Sequence, residues 1–116
     1  METRHFERHC AEPWLSHIAS GRKQIEGRLR RSIFATLQPG DSVTWFDGDK
    51  RVRTRIEGAR GYPTFRAMLE AEGLGNVLPE PGIDTIEDGV AVYRQYFTEE
   101  EEREFGVLAV LVSLID

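Results

Sequence analysis

Gly21-Arg22-Lys23-Gln24-Ile25-Glu26-Gly27-Arg28-Leu29 is the stretch on which the reading of the whole chain turns. From Gln24 onward polar and apolar side chains alternate, the mark of a half-buried strand with Ile25 and Leu29 inward and Glu26 and Arg28 outward. Gly21 supplies the left-handed residue that stops a helix before it. Lys23, Glu26 and Arg28 therefore crowd a helix-to-strand junction. Lysine offers a compact charge for a phosphate, arginine a planar fork for phosphate or carboxylate, and glutamate an acceptor for the amino edge of a base such as cytosine. A solvated strand face with a Glu26–Arg28 ion pair has the same spacing. Lys23 and Glu26 are three positions apart, so on a regular strand they face opposite sides, and sharing one ligand requires a turn or bulge near Gln24.

Working outward, residues 13–20 read as a short helix in which Pro13 suits the first turn and Trp14, Leu15 and Ile18 form an apolar stripe. On the other side a helical turn is expected around residues 32–37. Pro39-Gly40-Asp41 then turns the chain into Ser42-Val43-Thr44-Trp45-Phe46, and Asp47-Gly48-Asp49 turns it again into Arg51-Val52-Arg53-Thr54-Arg55-Ile56, a β-hairpin with Trp45 in the core. Arg51, Arg53 and Arg55 share its outer face, as solvated surface or as a phosphate track. Phe65, Met68 and Leu69 fall at helical spacing within residues 63–71, and Gly73 ends that helix. Residues 76–84, with Pro79, Pro81 and Gly82, read as loop.

Thr85-Ile86-Glu87-Asp88 supplies a cap-like start for a helix reaching about Phe97, with Ile86, Val90, Tyr93 and Phe97 on one face. Tyr93 reads as core. Thr98-Glu99-Glu100-Glu101 is a second capping box. Residues 105–112 are apolar on both faces and so form a central strand. Strands open, pair and close the sequence with helices between them, an α+β pattern that fits a small barrel decorated by helices better than a layered βαβ sheet.

At 116 residues one domain spanning 1–116 is expected. Cys10 is the single cysteine, which excludes an internal disulfide and fits a reducing compartment. No apolar run approaches the ~20 residues that span a bilayer, and the first residues lack the apolar core of a signal peptide, so a cytoplasmic protein without a membrane partner is expected. The formal net charge of -5 argues against a generic polyanion binder, although basic residues cluster at 22–31 and 50–60. His5, His9, Cys10 and His17 form no paired ligand motif, and neither a metal nor another cofactor is expected.

Gly21 through Arg28 resembles the GxKxxExR signature of the ASCH domain, a relative of the PUA RNA-binding fold. Leu37-Gln38-Pro39-Gly40-Asp41-Ser42-Val43 resembles that family's turn into its next strand, and residues 62–74 with 89–97 are similar to a compact bacterial and viral branch. The resemblance covers nearly the whole chain. It implies a PUA-like pseudo-barrel, a cleft beside the signature, and binding of RNA or a nucleotide by Lys23, Glu26 and Arg28, with Arg94 and Tyr96 nearby. Some relatives resemble N4-acetylcytidine amidohydrolases, which use a lysine, a threonine three residues later and a glutamate from a following helix. Lys23 matches the first, Glu26 stands at the threonine position, and Glu70 or Glu72 is available for the last. Others resemble ribonucleases that use the same lysine, a tyrosine and a serine in the final strand, for which Lys23, His17 and Ser113 stand here. The enzymatic alternative is thus a nucleoside- or RNA-processing hydrolase centred on Lys23, with Glu26 or Glu72 as acid or base.

Overall fold

Val52, Thr54 and Ile56 are buried while Arg51, Arg53 and Arg55 between them are exposed, a period of two that can be satisfied only by a strand with one covered face. In the computed structural model, which describes residues 3–115, this strand is β4 (Lys50–Tyr62), and it pairs antiparallel with β3 (Ser42–Asp47). Gly48, at φ +59°, turns the hairpin. The indole of Trp45 lies fully buried under it, donating from Nε1 to Thr54 Oγ1 at 2.9 Å, and that hydroxyl donates on to the Val43 carbonyl at 2.8 Å.

Three further strands complete a mixed five-stranded sheet in the order β1-β3-β4-β5-β2. β5 (Val107–Leu114) lies between β4 and β2 (Ile25–Leu29), antiparallel to both, as its apolar character on both faces required. β1 (His5–His9) pairs parallel with β3. This strand has no strong apolar pattern, its residues alternating only between exposed and half-buried. Its partner creates it, because the β3 edge offers backbone groups that need pairing.

A register shift between Ile56 and Gly58 bends β4 midway, which lets the sheet curl. The two edge strands come together: the Arg28 guanidinium of β2 donates to the His9 carbonyl at the end of β1, at 2.6 Å. The chain is an α+β PUA-like pseudo-barrel in which one side chain spans the open seam.

The helices are α1 (Trp14–Ala19), α2 (Phe65–Glu72), α3 (Leu74–Val77), α4 (Ile86–Arg94) and α5 (Glu99–Phe105). Thr64 caps α2 by accepting from the Ala67 amide, and the Thr85–Asp88 and Thr98–Glu101 capping boxes start α4 and α5. α3 falls partly within the stretch read as loop, a single turn held by packing of Val77 rather than by any periodic signal. Phe65 of α2 stacks on Tyr93 of α4, with ring centroids 4.2 Å apart, and this contact sets α4 over the sheet. The covering alters β2. Ile25, Glu26 and Gly27 are all buried and Arg28 half-buried, so Glu26 and Arg28 do not point to solvent as the alternation implied.

Candidate functional site

Gly21, at φ +82°, ends α1, and β2 begins only at Ile25. Lys23 therefore sits in the connecting segment rather than on the strand, its amide donating to the His17 carbonyl at 3.0 Å. Freed from the strand's alternation, its side chain turns the same way as Glu26. Lys23 is 1% exposed, and Nζ donates to the carbonyls of Ile25 at 2.7 Å and Val77 at 2.5 Å while lying 3.2 Å from Glu26 Oε1. Three protons meet three acceptors, so the ammonium is fully used.

Glu26 is 7% exposed and bridges the two cations. Its Oε2 accepts from Arg28 Nε at 2.9 Å, and Cys10 Sγ lies 3.7 Å from the same oxygen. The Arg28 guanidinium also packs over the rings of Phe34 and Trp45, 5.3 and 5.1 Å from their centroids. Burial alone would raise the Glu26 carboxyl, but Lys23 and Arg28 together outweigh it and hold the group below the usual carboxylate range. Burial pulls the Lys23 ammonium below its usual value despite the opposing pull of Glu26. The Cys10 thiol is pushed far up, first by burial and then by Glu26, so it stays protonated.

These groups form the polar end of a cavity of about 270 Å³ whose apolar walls include Trp14, Leu78, Tyr93 and Phe97. Tyr96, 48% exposed, stands among its lining residues. Gly27 forms part of the lining because nothing larger fits: a Cβ there would lie 2.6 Å from the Tyr93 hydroxyl and 2.9 Å from the Met68 methyl. Gly27→Ala is expected to force Tyr93 out of its stack on Phe65 and to lower stability by about 1–3 kcal/mol, measurable by denaturant unfolding.

Lys23, Glu26, Arg28 and Tyr96 thus meet at one cavity, whereas the other residues singled out lie elsewhere. Arg94 does not line it and instead bonds Glu102 Oε1 through Nη2 at 3.0 Å. Glu72 is gripped by Arg60 at 2.6 Å and by the Tyr62 hydroxyl, and lines a second groove with Glu57 and Ser113 that Lys23 also borders. Ser113 donates to Glu57 at 2.6 Å. Glu70 is exposed, and His17 meets Glu80 at 3.2 Å. Arg51 pairs with Glu7 at 2.6 Å on the outer sheet face. Among the described residues no helix is long and apolar enough to cross a membrane, and no three His, Cys, Asp or Glu side chains are grouped to hold a metal ion.

Cys10, Trp14 and Tyr93 line the cavity without having been singled out for it. For Tyr93 a signal existed, since a phenol on the core face of a helix needs a partner for its hydroxyl.

The family model described as ASCH domain matches residues 9–114. Among solved structures the chain is similar to hypothetical protein PH0355, at 39% identity over 96% of this chain and 99% of that one, with a TM-score of 0.87. It is similar as well to protein PF0455 from Pyrococcus furiosus, at 38% identity over 97% and 98% of the two chains, with a TM-score of 0.78. Protein EF3133 from Enterococcus faecalis V583 shares the fold at 12% identity, covering 100% of this chain and 82% of its own, with a TM-score of 0.59. No curated protein matches. The relatives at high identity are archaeal proteins, so they do not support the bacterial and viral branch to which the motifs pointed.

Proposed function

The chain belongs to the ASCH domain family, and from that premise we propose that it is a binding module that takes one nucleotide, free or as an unstacked residue of single-stranded RNA, into the cavity beside Glu26. The observation that carries this reading is an ionised carboxylate immobilised between two cations at the polar end of an aromatic-walled cavity. Single-stranded RNA is read by splaying out bases, stacking them on aromatic side chains and bonding their edges, and each part of that chemistry has a counterpart here. A volume of about 270 Å³ lies just below the roughly 300 Å³ at which pockets for drug-sized ligands begin, which suits one base with part of its sugar.

The roles follow from which bonding positions are free. Glu26 keeps acceptor lone pairs beyond those facing Lys23 and Arg28, and takes an N–H from the base. Arg28, whose Nε and Nη2 are engaged, turns its remaining nitrogen toward phosphate or ribose. Lys23 is a positioning residue, its ammonium saturated. Arg94 reaches a ligand only by leaving Glu102. No contact favours the hydrolase alternative: Lys23 and Glu72 border the same groove, but Glu72 is held by Arg60 and Tyr62, and all three Lys23 donors are engaged by Glu26 and two carbonyls.

Calorimetric titration with nucleoside monophosphates and a short single-stranded RNA tests the module. Binding of a single nucleotide is expected to be almost insensitive to salt, since few counterions are released. Tyr96→Ala is expected to weaken it by about 1–3 kcal/mol, the range for one stacked base, with no change in melting temperature. A protein that binds no nucleotide, or a Tyr96→Ala variant that binds as well as the wild type, sinks the reading.

A further inference from the structure

Among the described residues, Tyr93 is the cavity-lining residue whose side chain carries a buried polar atom without a partner. The side chain is 4% exposed and no group accepts from its hydroxyl, whose oxygen faces the Gly27 backbone amide. It cannot swing away to find an acceptor. Phe65 stacks on one face at an interplanar angle of 8°, and the backbone of Gly27 abuts the hydroxyl, where even a methyl group would collide. A buried donor without an acceptor costs about 1–3 kcal/mol, and phenylalanine fills the same space without that penalty.

The neighbouring polar groups show what is missing. Lys23 has spent its three donors, and Cys10 lies against Glu26. The polar end therefore presents acceptor positions on the Glu26 carboxylate and an unclaimed donor on Tyr93. A ligand that completes both must carry an N–H and, next to it, an acceptor. Every nucleobase shows that pairing on its Watson–Crick edge, and the edge is available only when the base is unpaired.

We propose that Tyr93 is a specificity-determining residue whose hydroxyl donates to an acceptor on the base while Glu26 takes the adjacent N–H, so that the cavity admits a base by its free Watson–Crick edge and excludes one already paired. This rests on the nucleotide-binding reading above and adds the edge that is read.

The test compares wild type and Tyr93→Phe in two measurements: melting of the unliganded protein, and binding of the four nucleoside monophosphates, ribose 5-phosphate, and a short RNA before and after annealing to its complement. The unliganded variant is expected to melt at or above the wild-type temperature, because it loses a buried hydroxyl proton that had no acceptor. Its affinity for the nucleotides the wild type binds is expected to fall about tenfold, the loss of one acceptor's partner in a dry site. Ribose 5-phosphate and annealed RNA should bind neither protein measurably. A variant that melts well below wild type or fails to fold places the hydroxyl in an internal bond and overturns the proposal. Unchanged nucleotide affinity, or annealed RNA binding as well as the single strand, overturns it too while leaving the cavity as a nucleotide site. A wild type silent to all the ligands overturns both readings together.

Discussion

Glu26→Gln is expected to destabilise the protein by about 3–5 kcal/mol, because it removes the carboxylate from between two cations and leaves the Lys23 ammonium charged in a fully buried position. The amide keeps one acceptor oxygen and sets an NH2 against the other cation, so the loss is of charge compensation and one hydrogen bond rather than of shape. Denaturant unfolding at pH 7 measures it, and a loss under 1 kcal/mol would show that water reaches Lys23. The double variant Lys23→Met, Glu26→Leu separates the pair's role in stability from its role in binding. Replacing a buried ion pair by apolar groups of similar size is often neutral, so this protein should regain much of the lost stability while binding no nucleotide.

The same pair sets a pH dependence. The Glu26 carboxyl is held below its ordinary value, so its contribution to stability is complete above the unfolded-state value of about 4.3 and disappears as pH falls through the lower folded value. Acid unfolding monitored by tryptophan fluorescence should therefore shift to higher pH in Arg28→Ala, where one of the two cations holding the carboxylate is gone.

Arg28→Ala is the second large effect, about 2–3 kcal/mol from charged hydrogen bonds and the stacking on Phe34 and Trp45. Its signature is local. Arg28 is the side chain that reaches from β2 to the His9 carbonyl, so its removal opens the seam between the edge strands. Amide exchange in β1 should accelerate far more than in β5, which is paired on both sides. Arg28→Lys will not restore protection, since a single ammonium cannot reach Glu26 and His9 at once while lying flat on two rings. Uniform acceleration across the sheet would mean that Arg28 acts through global stability alone.

Local structure is legible in the sequence wherever one element's own periodicity or cap carries it. Ser42 to Ile56 was legible as a hairpin because its alternation and its Gly48 turn are both local, and the boxes at Thr85 and Thr98 marked helix starts because their bonds close within four residues. The central place of β5 followed from its lack of a polar face. β1 was not legible, since a short polar edge strand is created by the strand it joins.

The signature residues divide in the same way. Their types and their crowding after Gly21 belong to the sequence, as does the need for a bend near Gln24. What only the tertiary structure decided is where the head groups point and what covers them. Tyr93 of α4 and His9 of the N-terminal strand lie against β2, so charges that alternation assigned to solvent became a buried bridge, and a tyrosine assigned to the core acquired a hydroxyl with no acceptor. Alternation reports which face of one strand is apolar, but burial is fixed by neighbours far away in the chain, and no local pattern encodes them.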